Sequence, residues 1–427
     1  MASPLKRRNV VSWALYDWGN SAFATTVMAG FFPVFLKQYW SAGADPTLST
    51  ARLGIGNGIS ALVIAVLAPF LGTVADRSGA RLKFLTFFTF LGVAATFSLY
   101  FVGKGDWELA VITYVVASLG FAGGISFYDS LLVDVAEPPE FDRVSSYGYA
   151  LGYLGGGSLF ALNVFMTLKP EVFGLADKAE AVRFSFLSVA VWWAVFTLPV
   201  LLFVREREPA TRLPVARALR VGWTELFETL RHVRRYRTLT LFLAAYWLYI
   251  DGVNTVIKMA VDYGLALGFP TTSLITALLL TQFVAFPAAL VFGWLGDRFG
   301  TRNALLLAIG VYLLTTIWAY WLSNVSEFYA MAVVIGLVQG GVQSLSRSFY
   351  GRLVPAEKSG EFFGFFNMMG KFATVIGPVL VGVVGLATNS SRAGILSIAL
   401  LFVLGGGLLA RVREGAEPAA LRAQAET

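Results

Sequence analysis

The sequence predicts an all-α membrane protein whose twelve transmembrane helices form two pseudo-symmetric six-helix bundles. Three observations predict this fold. Of the 427 residues, 57% are hydrophobic and 14% are charged, whereas a soluble protein has about 45–50% apolar and about 25% charged residues. Apolar runs of about 20 residues, the length that crosses a bilayer, recur along the whole chain. One ten-residue polar motif occurs twice, once in each half of the chain.

The apolar runs define the spans in chain order. The first run carries Asp17 and is longer than the apolar core of a signal peptide, so we expect it to stay in the protein as a span. The twelve predicted spans cover residues 10–36, 53–75, 84–102, 107–132, 144–168, 184–204, 238–261, 274–295, 304–322, 328–349, 362–386 and 394–410.

The loops between the spans predict the orientation of the chain. One set of alternate loops, together with both termini, holds 24 of the 33 Lys and Arg residues. Positively charged loops stay in the cytoplasm. Both termini are therefore predicted to be cytoplasmic, which requires an even number of spans. We expect a multi-pass protein of the plasma (inner) membrane, a monomer whose surroundings are lipid.

The longest polar stretch divides the chain into four predicted regions: a first six-helix bundle at 1–204, a linker at 205–237, a second six-helix bundle at 238–411 and a cytoplasmic tail at 412–427. Within the linker, Leu219, Trp223, Leu226 and Phe227 recur at helical spacing between arginines. This pattern predicts an amphipathic helix on the membrane surface and not a nucleic-acid site.

The repeated motif reads G-x-x-x-D-R-x-G-x-R and starts at Gly72 and again at Gly293, 221 residues apart. Glycine allows a sharp turn and a close approach of helices, and each Asp-Arg pair can bind charges on neighbouring helix ends. We predict a gate that holds one face closed, while a static solvated turn is the alternative. The predicted gating residues are Gly72, Asp76, Arg77, Gly79, Arg81, Gly293, Asp297, Arg298, Gly300 and Arg302.

Span 1 (WALYDWGNS from residue 13) also matches span 7 (WLYIDGVNT from residue 247). Six spans per half give both repeats the same topology, so an axis along the membrane normal relates them, as in major facilitator transporters. Segments 13–23, 142–157, 339–348 and 361–372 resemble the vacuolar amino-acid effluxer-like branch of that superfamily. The resemblance covers essentially the whole chain and implies a transporter. Fungal members are associated with amino-acid release from the vacuole, but the resemblance constrains the fold better than the solute.

Ionisable residues inside spans are costly and therefore mark candidate sites. Asp17 and Asn20 share one side of span 1, and Asp251, Asn254 and Lys258 occupy comparable positions in span 7. Burial of a carboxylate favours its protonated form, so these aspartates are candidates for proton or substrate binding. The alternative is a structural role, in which Asp251 and Lys258 pair with neighbouring helices.

Span 10 carries Gln339, Gln343 and Arg347 at four-residue spacing, and span 11 carries Asn367 and Lys371 at the same spacing. These donors, set against the aspartates, would suit an amino acid or another small zwitterionic or anionic solute. Arg347 could instead extend to the cytoplasmic surface, and the glutamines could simply bridge helices. Asp129 and Asp134, at the end of span 4, are predicted to belong to a surface cluster with Glu137, Glu140, Asp142 and Arg143.

Several classes of function are excluded by composition. The chain has no cysteine and one histidine, which removes thiol chemistry and histidine relays, and no nucleotide-binding loop is present. We therefore expect no enzyme and no cofactor. The prediction is a secondary transporter of a small polar solute that works by alternating access and uses a proton or other ion gradient. The alternatives are an uncoupled facilitator and a membrane receptor or scaffold that uses the linker helix.

Overall fold

The computed structural model describes residues 4–43, 46–209, 212–233 and 237–413, and every regular element in these ranges is a helix. Twelve of the helices are long and apolar enough to cross a membrane, as predicted. Most extend a turn or so beyond the apolar run, because the helical backbone continues into the polar ends. Spans 1 to 12 are Arg8–Trp40, Ala51–Ser78, Arg81–Phe101, Trp107–Val135, Pro138–Leu168, Lys178–Phe203, Arg237–Ala260, Thr272–Phe299, Thr301–Ala319, Val325–Leu353, Ala356–Thr388 and Ser391–Leu409.

Several helices begin at a side-chain cap. Asp177, Asn324 and Ser390 each accept a hydrogen bond from the backbone N–H three residues later, at the starts of spans 6, 10 and 12. These caps satisfy N–H groups that have no partner in the first turn of a helix. All three helices run in the same direction, so the caps lie on one face of the bundle.

The two halves of the chain pack alike. In the first half, span 1 packs on span 6, and span 3 packs on spans 4 and 6. In the second half, the equivalent spans pack in the same way: span 7 packs on span 12, and span 9 packs on spans 10 and 12. The halves meet through span 2 against span 11 and through span 5 against span 8, which are pseudo-equivalent pairs. The repeat in the sequence is thus a repeat in the structure.

The start of span 1 and the end of span 12 lie on the same face of the bundle, because the number of spans is even; we call it the terminal face. The halves approach most closely near this face. A methyl group at Gly364 would lie 2.6 Å from the carbonyl oxygen of Ala68, and one at Gly293 would lie 2.8 Å from Cβ of Ser146. Glycine at these positions lets the backbones of opposite halves touch.

A helix at Val215–Val233 connects the halves on the terminal face. Trp223 stacks on Phe70 of span 2 with ring centroids 4.4 Å apart, and the buried Ala218 and Leu226 share an apolar cluster with Phe365 of span 11. Part of the apolar side of this helix therefore contacts both halves of the protein. The tail predicted from 412 lies outside the described residues beyond 413.

Candidate functional site

Arg347 of span 10 is buried in the opposite half of the protein. It is 1% exposed although it precedes the last residue of span 10, Leu353, by six positions. Its guanidinium donates to Oγ and to the carbonyl oxygen of Ser145 at 2.9 and 2.8 Å, and to Oδ1 of Asp129 at 2.9 Å. Oδ2 of Asp17 lies 3.8 Å away. Arg347 therefore does not extend to the surface, and it joins the two halves.

Aromatic rings of the first half surround the same guanidinium. Its central carbon lies 4.3 Å from the ring centroid of Tyr149, 4.8 Å from that of Trp13 and 5.3 Å from that of Tyr128. Trp13 also stacks on Tyr128 at 4.5 Å and donates to its carbonyl oxygen at 3.0 Å. Cation–π contacts gain strength when they are removed from water, so this pocket is selective for a cation.

Asp129 of span 4 is the main counter-ion of Arg347, and the second half contacts it twice. Its other carboxylate oxygen accepts from Nδ2 of Asn367 in span 11 at 3.1 Å. Asp129 is 3% exposed, so its predicted place in a surface cluster is wrong. The error arose because depth was counted from the end of span 4, which the second half of the protein covers.

Asp134 is likewise buried, and only the outer members of the predicted surface cluster are exposed. Its side chain is 0% exposed and binds Arg81 at 2.9 Å. Glu137, by contrast, is 68% exposed and Arg143 is 49% exposed. A helix end that looks peripheral in the sequence is therefore interior once the two halves meet.

Asp17 lies beside the Arg347 pocket on span 1. Its Oδ2 accepts from the hydroxyl of Tyr128 at 3.2 Å, and the side chain is 7% exposed. Asn20 is buried one turn further, and its Nδ2 has no hydrogen-bond partner. Buried amide donors are rarely left unsatisfied, so Asn20 is a candidate for contact with a solute or water.

Gln339 and Gln343 lie on the same face of span 10 as Arg347. Gln339 is 8% exposed, and Gln343 accepts a hydrogen bond from the hydroxyl of Tyr153 in span 5. Gln343 therefore bridges the two halves, which is the alternative considered from the sequence.

The predicted site in the second half is separate and has a different geometry. Span 11 is interrupted: one helix covers Ser359–Phe372 and the next covers Ile376–Thr388. Asp251 of span 7 accepts from the backbone N–H groups of Ile376 and Gly377, both at 2.9 Å, and from Thr255 at 3.2 Å. Asn254 donates to the carbonyl oxygen of Ala373 at 3.1 Å. Span 7 thus supplies the polar partners that a broken membrane helix needs.

Lys258 and Lys371 stand next to this break. Lys258 is exposed and Lys371 is half-buried. No ion pair within 4 Å joins either lysine to Asp251 among the described residues, where the partners of Asp251 are two backbone N–H groups and Thr255. The carboxylate of Asp251 is occupied mainly by backbone N–H groups, so the lysines are not its bound counter-charges.

We predict that Asp251→Asn destabilises the protein, because an amide nitrogen would face one of the two N–H donors at the start of the second helix of span 11. Leaving one donor unsatisfied costs about 1–3 kcal/mol. Thermal unfolding of the purified variant measures this change. Thr255→Val is the matched control, since it removes one hydrogen bond and leaves both backbone donors paired. A stability of Asp251→Asn equal to that of Thr255→Val would contradict the capping role.

The first copy of the gating motif binds the opposite half directly. The two oxygens of Asp76 accept from the backbone N–H groups of Gly360 and Glu361, each at 2.9 Å, at the start of span 11. Arg81 lies 3.5 Å from Asp76 and donates to Asp134 at 2.9 Å and to Ser359 at 2.6 Å. A carboxylate at a helix N-terminus is favoured by the helix dipole.

The other residues of this copy have different partners. Arg77 was expected to join Asp76 at the contact between helix ends, but it binds Glu225 of the linker helix at 2.7 Å. Gly79 adopts φ +56, a left-handed conformation that glycine tolerates best. Gly72 packs against the backbone of Gly360, so this turn and this contact both require glycine.

The second copy of the motif is more exposed. Asp297 pairs with Arg143 of span 5, and Gly300 has φ +87. Arg302 donates to the carbonyl oxygen of Val412 at 3.0 Å. Arg298 was expected to pair across helix ends, but its guanidinium lies 5.5 Å from the ring of Trp294 on its own helix.

An aspartate outside the motif, close to its second copy, makes more contacts between the two halves than Asp297 does. Asp142 of span 5 is 1% exposed and accepts from Thr301 at 2.8 Å and from Arg352 at 2.9 Å. It also accepts from Ser348. The sequence predicted that Asp142 belongs to the surface cluster after span 4, and its burial shows that this prediction is wrong.

Comparisons with known proteins agree with this geometry. The human organic anion transporter MFSD10 has the same fold, with a TM-score of 0.74 at 15% identity over 95% of this chain and 100% of that one. The outward conformation of the transporter FucP gives a TM-score of 0.72 at 12% identity over 96% and 100%. The fold of this chain is therefore the fold of the major facilitator transporters.

Similarity in sequence defines the family. The family model described as "vacuole effluxer Atg22 like" matches residues 47–417. The MFS-type transporter YxiO of Bacillus subtilis is 38% identical over 405 residues, which cover 94% of each chain. Autophagy-related protein 22 of Coccidioides immitis is 23% identical, over 94% of this chain and 86% of that one. This chain belongs to the Atg22-like vacuole effluxer family.

Proposed function

We propose that the protein is a proton-coupled secondary transporter of a small polar solute, an amino acid or a related metabolite, that works by alternating access. The observation that carries the proposal is the burial of Arg347 of one half in an acidic and aromatic pocket of the other. An arginine so buried depends on its carboxylate partners. Protonation of Asp129 or Asp17 would remove the attraction that holds the halves together at the terminal face.

The proposed cycle follows from this dependence. In the first state of this cycle Asp129 and Asp17 are ionised, and Arg347 holds the terminal face closed. Proton binding from the other side weakens this contact, so the halves can rock apart and expose the site to the terminal face. Proton release there restores the charges and the closed state. A ligand shifts such an equilibrium only by its difference in affinity between the two states. Here the proton is the ligand, and it binds the open state more tightly than the closed one.

The orientation and setting are part of the proposal. The excess of positive charge on the terminal face supports a cytoplasmic position for this face in a plasma (inner) membrane, and we infer that a monomer carries the complete site. The relatives named for vacuole efflux suggest movement of solute out of a compartment, so we propose that solute moves through this chain in the same direction as the proton, toward the terminal face.

We expect accumulation of the solute to require a pH gradient. When the charge of the pocket is neutralised, we expect the flux to become independent of that gradient. A panel of amino acids and related metabolites is first screened for thermal stabilisation of the purified protein, and the hits are tested for flux in proteoliposomes with and without a pH gradient. In Asp129→Asn, exchange of solute at equal pH should persist, whereas accumulation driven by the gradient should fall by at least about 10-fold, the equivalent of 1.4 kcal/mol.

Glu137→Gln is the matched control, since this exposed carboxylate ends the same helix region without touching Arg347. Accumulation by wild-type protein that ignores the pH gradient would favour an uncoupled facilitator. Absence of flux for every stabilising solute would contradict transport itself.

A further inference from the structure

The pocket that holds Arg347 is a cation receptor built by one half of the protein. Its walls come from spans 1, 4 and 5 of the first half, whereas the cation comes from span 10 of the second half. The three nitrogen atoms of the guanidinium group have separate acceptors: Nε donates to Oγ of Ser145, Nη1 to Oδ1 of Asp129 and Nη2 to the carbonyl oxygen of Ser145. The pocket therefore matches a flat guanidinium group at each of its nitrogen atoms.

Contacts within the first half hold this pocket in shape. Trp13 stacks on Tyr128 and donates to its carbonyl oxygen, and the hydroxyl group of Tyr128 donates to Asp17. A methyl group at Gly148 of span 5 would lie 2.7 Å from that hydroxyl group and 2.9 Å from the ring of Trp13, so the backbone of span 5 forms a tight wall. These contacts join residues of the first half to one another, and they persist when the two halves rock apart.

Separation of the halves removes the cation and leaves the receptor. Arg347 and Asn367, the partners of Asp129 from the second half, both move away with that half. Two neighbouring carboxylates, Asp129 and Asp17, then remain in the aromatic pocket without a positive charge, which disfavours the ionised form of both. A free cation of the same shape as the arginine head would fit this pocket without rearrangement, and a preorganised site gains affinity in this way.

Asp17 is the inner edge of the pocket, on the side of the bilayer middle. It follows the first residue of span 1 by nine positions, whereas Asp129 precedes the last residue of span 4 by six. At a rise of about 1.5 Å per residue, Asp17 lies about 4–5 Å further from the terminal face. Its side chain is also the more exposed of the two, 10% against 4%. A solute that arrives from the opposite side of the membrane therefore meets Asp17 before it meets Arg347.

The structure changes the charge that the solute is expected to carry. The sequence suggested Arg347 and Asn367 as donors to a zwitterionic or anionic solute, but in the structure both side chains donate to Asp129. The part of the pocket that stays behind when Arg347 leaves is acidic and aromatic. Such a surface binds cations.

We propose that this pocket binds a cationic group of the solute, a guanidinium or a primary ammonium group, in the place of Arg347. The solute thus competes with the arginine that holds the terminal face closed. Asp129 binds the cation while Asp17 carries the proton, so the two move together toward the terminal face. This inference names the solute class and rests on the proposed function only for the statement that the bound cation is transported.

Ethylguanidinium tests the pocket directly, because it contains the atoms that Arg347→Ala removes. Binding is measured on the purified full-length variant by its unfolding temperature at constant ionic strength. N-ethylurea is the matched control, since it has nearly the same shape without the charge. We expect ethylguanidinium to stabilise Arg347→Ala saturably, with an affinity at least about 10-fold higher than that of N-ethylurea. Ethylammonium is measured beside it, and the tighter of the two cations identifies the group that the pocket prefers.

Further substitutions in the Arg347→Ala protein assign the binding to the pocket. Asp129→Asn should weaken the affinity for ethylguanidinium by about 10- to 100-fold, the range for one hydrogen bond to a charged group. Tyr149→Leu should weaken it by about 3- to 30-fold, because a cation–π contact is lost. Glu137→Gln should leave it unchanged, since Glu137 is exposed just beyond the end of span 4.

Wild-type protein shows whether such a cation is a solute, and this measurement does not depend on the folding of Arg347→Ala. In proteoliposomes we expect saturable uptake of ethylguanidinium, and uptake of N-ethylurea at least about 10-fold slower. Ethylguanidinium should also compete with any solute that the thermal screen identifies.

Each of the contrary outcomes is distinct. Absence of saturable stabilisation of folded Arg347→Ala, or stabilisation that Asp129→Asn leaves unchanged, would overturn the cation site. Wild-type flux that follows the pH gradient, but that ethylguanidinium neither supplies nor inhibits, would retain the proposed function and overturn this inference. Binding that depends on Asp129 without flux of any solute would retain the cation site and contradict transport.

Discussion

Replacement of Arg347 by glutamine is expected to destabilise the closed protein and to reduce transport by at least about 100-fold. The variant leaves Asp129 buried with Asn367 as its remaining partner. Removing one member of a buried ion pair costs about 3–5 kcal/mol, because the other charge stays uncompensated, and 2.8 kcal/mol already corresponds to about 100-fold in an equilibrium. Thermal unfolding and proteoliposome flux of the solutes identified by stabilisation measure the two effects.

The double variant Arg347→Gln/Asp129→Asn tests the cause. Removing both charges also removes the uncompensated one, so we expect the double variant to be more stable than either single variant, with a coupling of about 0.5–3 kcal/mol. It should still fail to couple transport to a pH gradient. Arg298→Gln is the matched control, since this arginine lies at the terminal face and its guanidinium lies near the ring of Trp294 on the same helix. Additive losses in the double variant would show that Arg347 and Asp129 do not act as a pair.

Replacement of Asp76 by alanine is expected to open the terminal face. Asp76 holds two backbone N–H groups of span 11 from the opposite half, and each hydrogen bond to a charged group is worth about 1.5–3 kcal/mol. Loss of this contact destabilises the closed state and not the open one, in which the halves separate. One such bond already corresponds to about 10- to 100-fold in an equilibrium, so the population of the open state should rise by at least about 10-fold.

A single cysteine reports this opening without background, because the chain has no cysteine of its own. Ser146 is 0% exposed at the contact between spans 5 and 8, and Ser146→Cys changes one atom of the side chain. Its rate of alkylation from the terminal face should rise when Asp76→Ala is added. An unchanged rate would rule out Asp76 as part of a gate and leave a static turn.

The second copy of the motif offers a matched comparison for the first. Asp297→Ala should raise the alkylation rate less than Asp76→Ala does, because Asp297 pairs with a side chain that is 49% exposed, and exposed pairs contribute about 0–1 kcal/mol. Equal effects of the two substitutions would mean that the gate is symmetric in strength.

The position of the candidate residues could be predicted from the sequence better than their partners. Asp17, Arg347 and Asn367 were recognised because polar side chains within apolar runs are conspicuous, and the structure brings them together around Asp129. Asp251 was recognised for the same reason, but its carboxylate caps a broken helix. A hydrogen bond to backbone N–H groups 125 residues away leaves no mark in local composition.

The sequence by itself determined the number of spans, their topology and the relation between the two halves. These features follow from local physics: a bilayer requires about 20 apolar residues for each helix, and duplicated segments fold alike. Only the tertiary structure decided which charges meet. It buried Asp129, Asp134 and Asp142, gave Arg347 a pocket in the opposite half and made the carboxylate of Asp251 a cap for the second helix of span 11. The reason is that burial at the contact between halves, and the distance from one charge to another across it, depend on the packing of helices far apart in the chain.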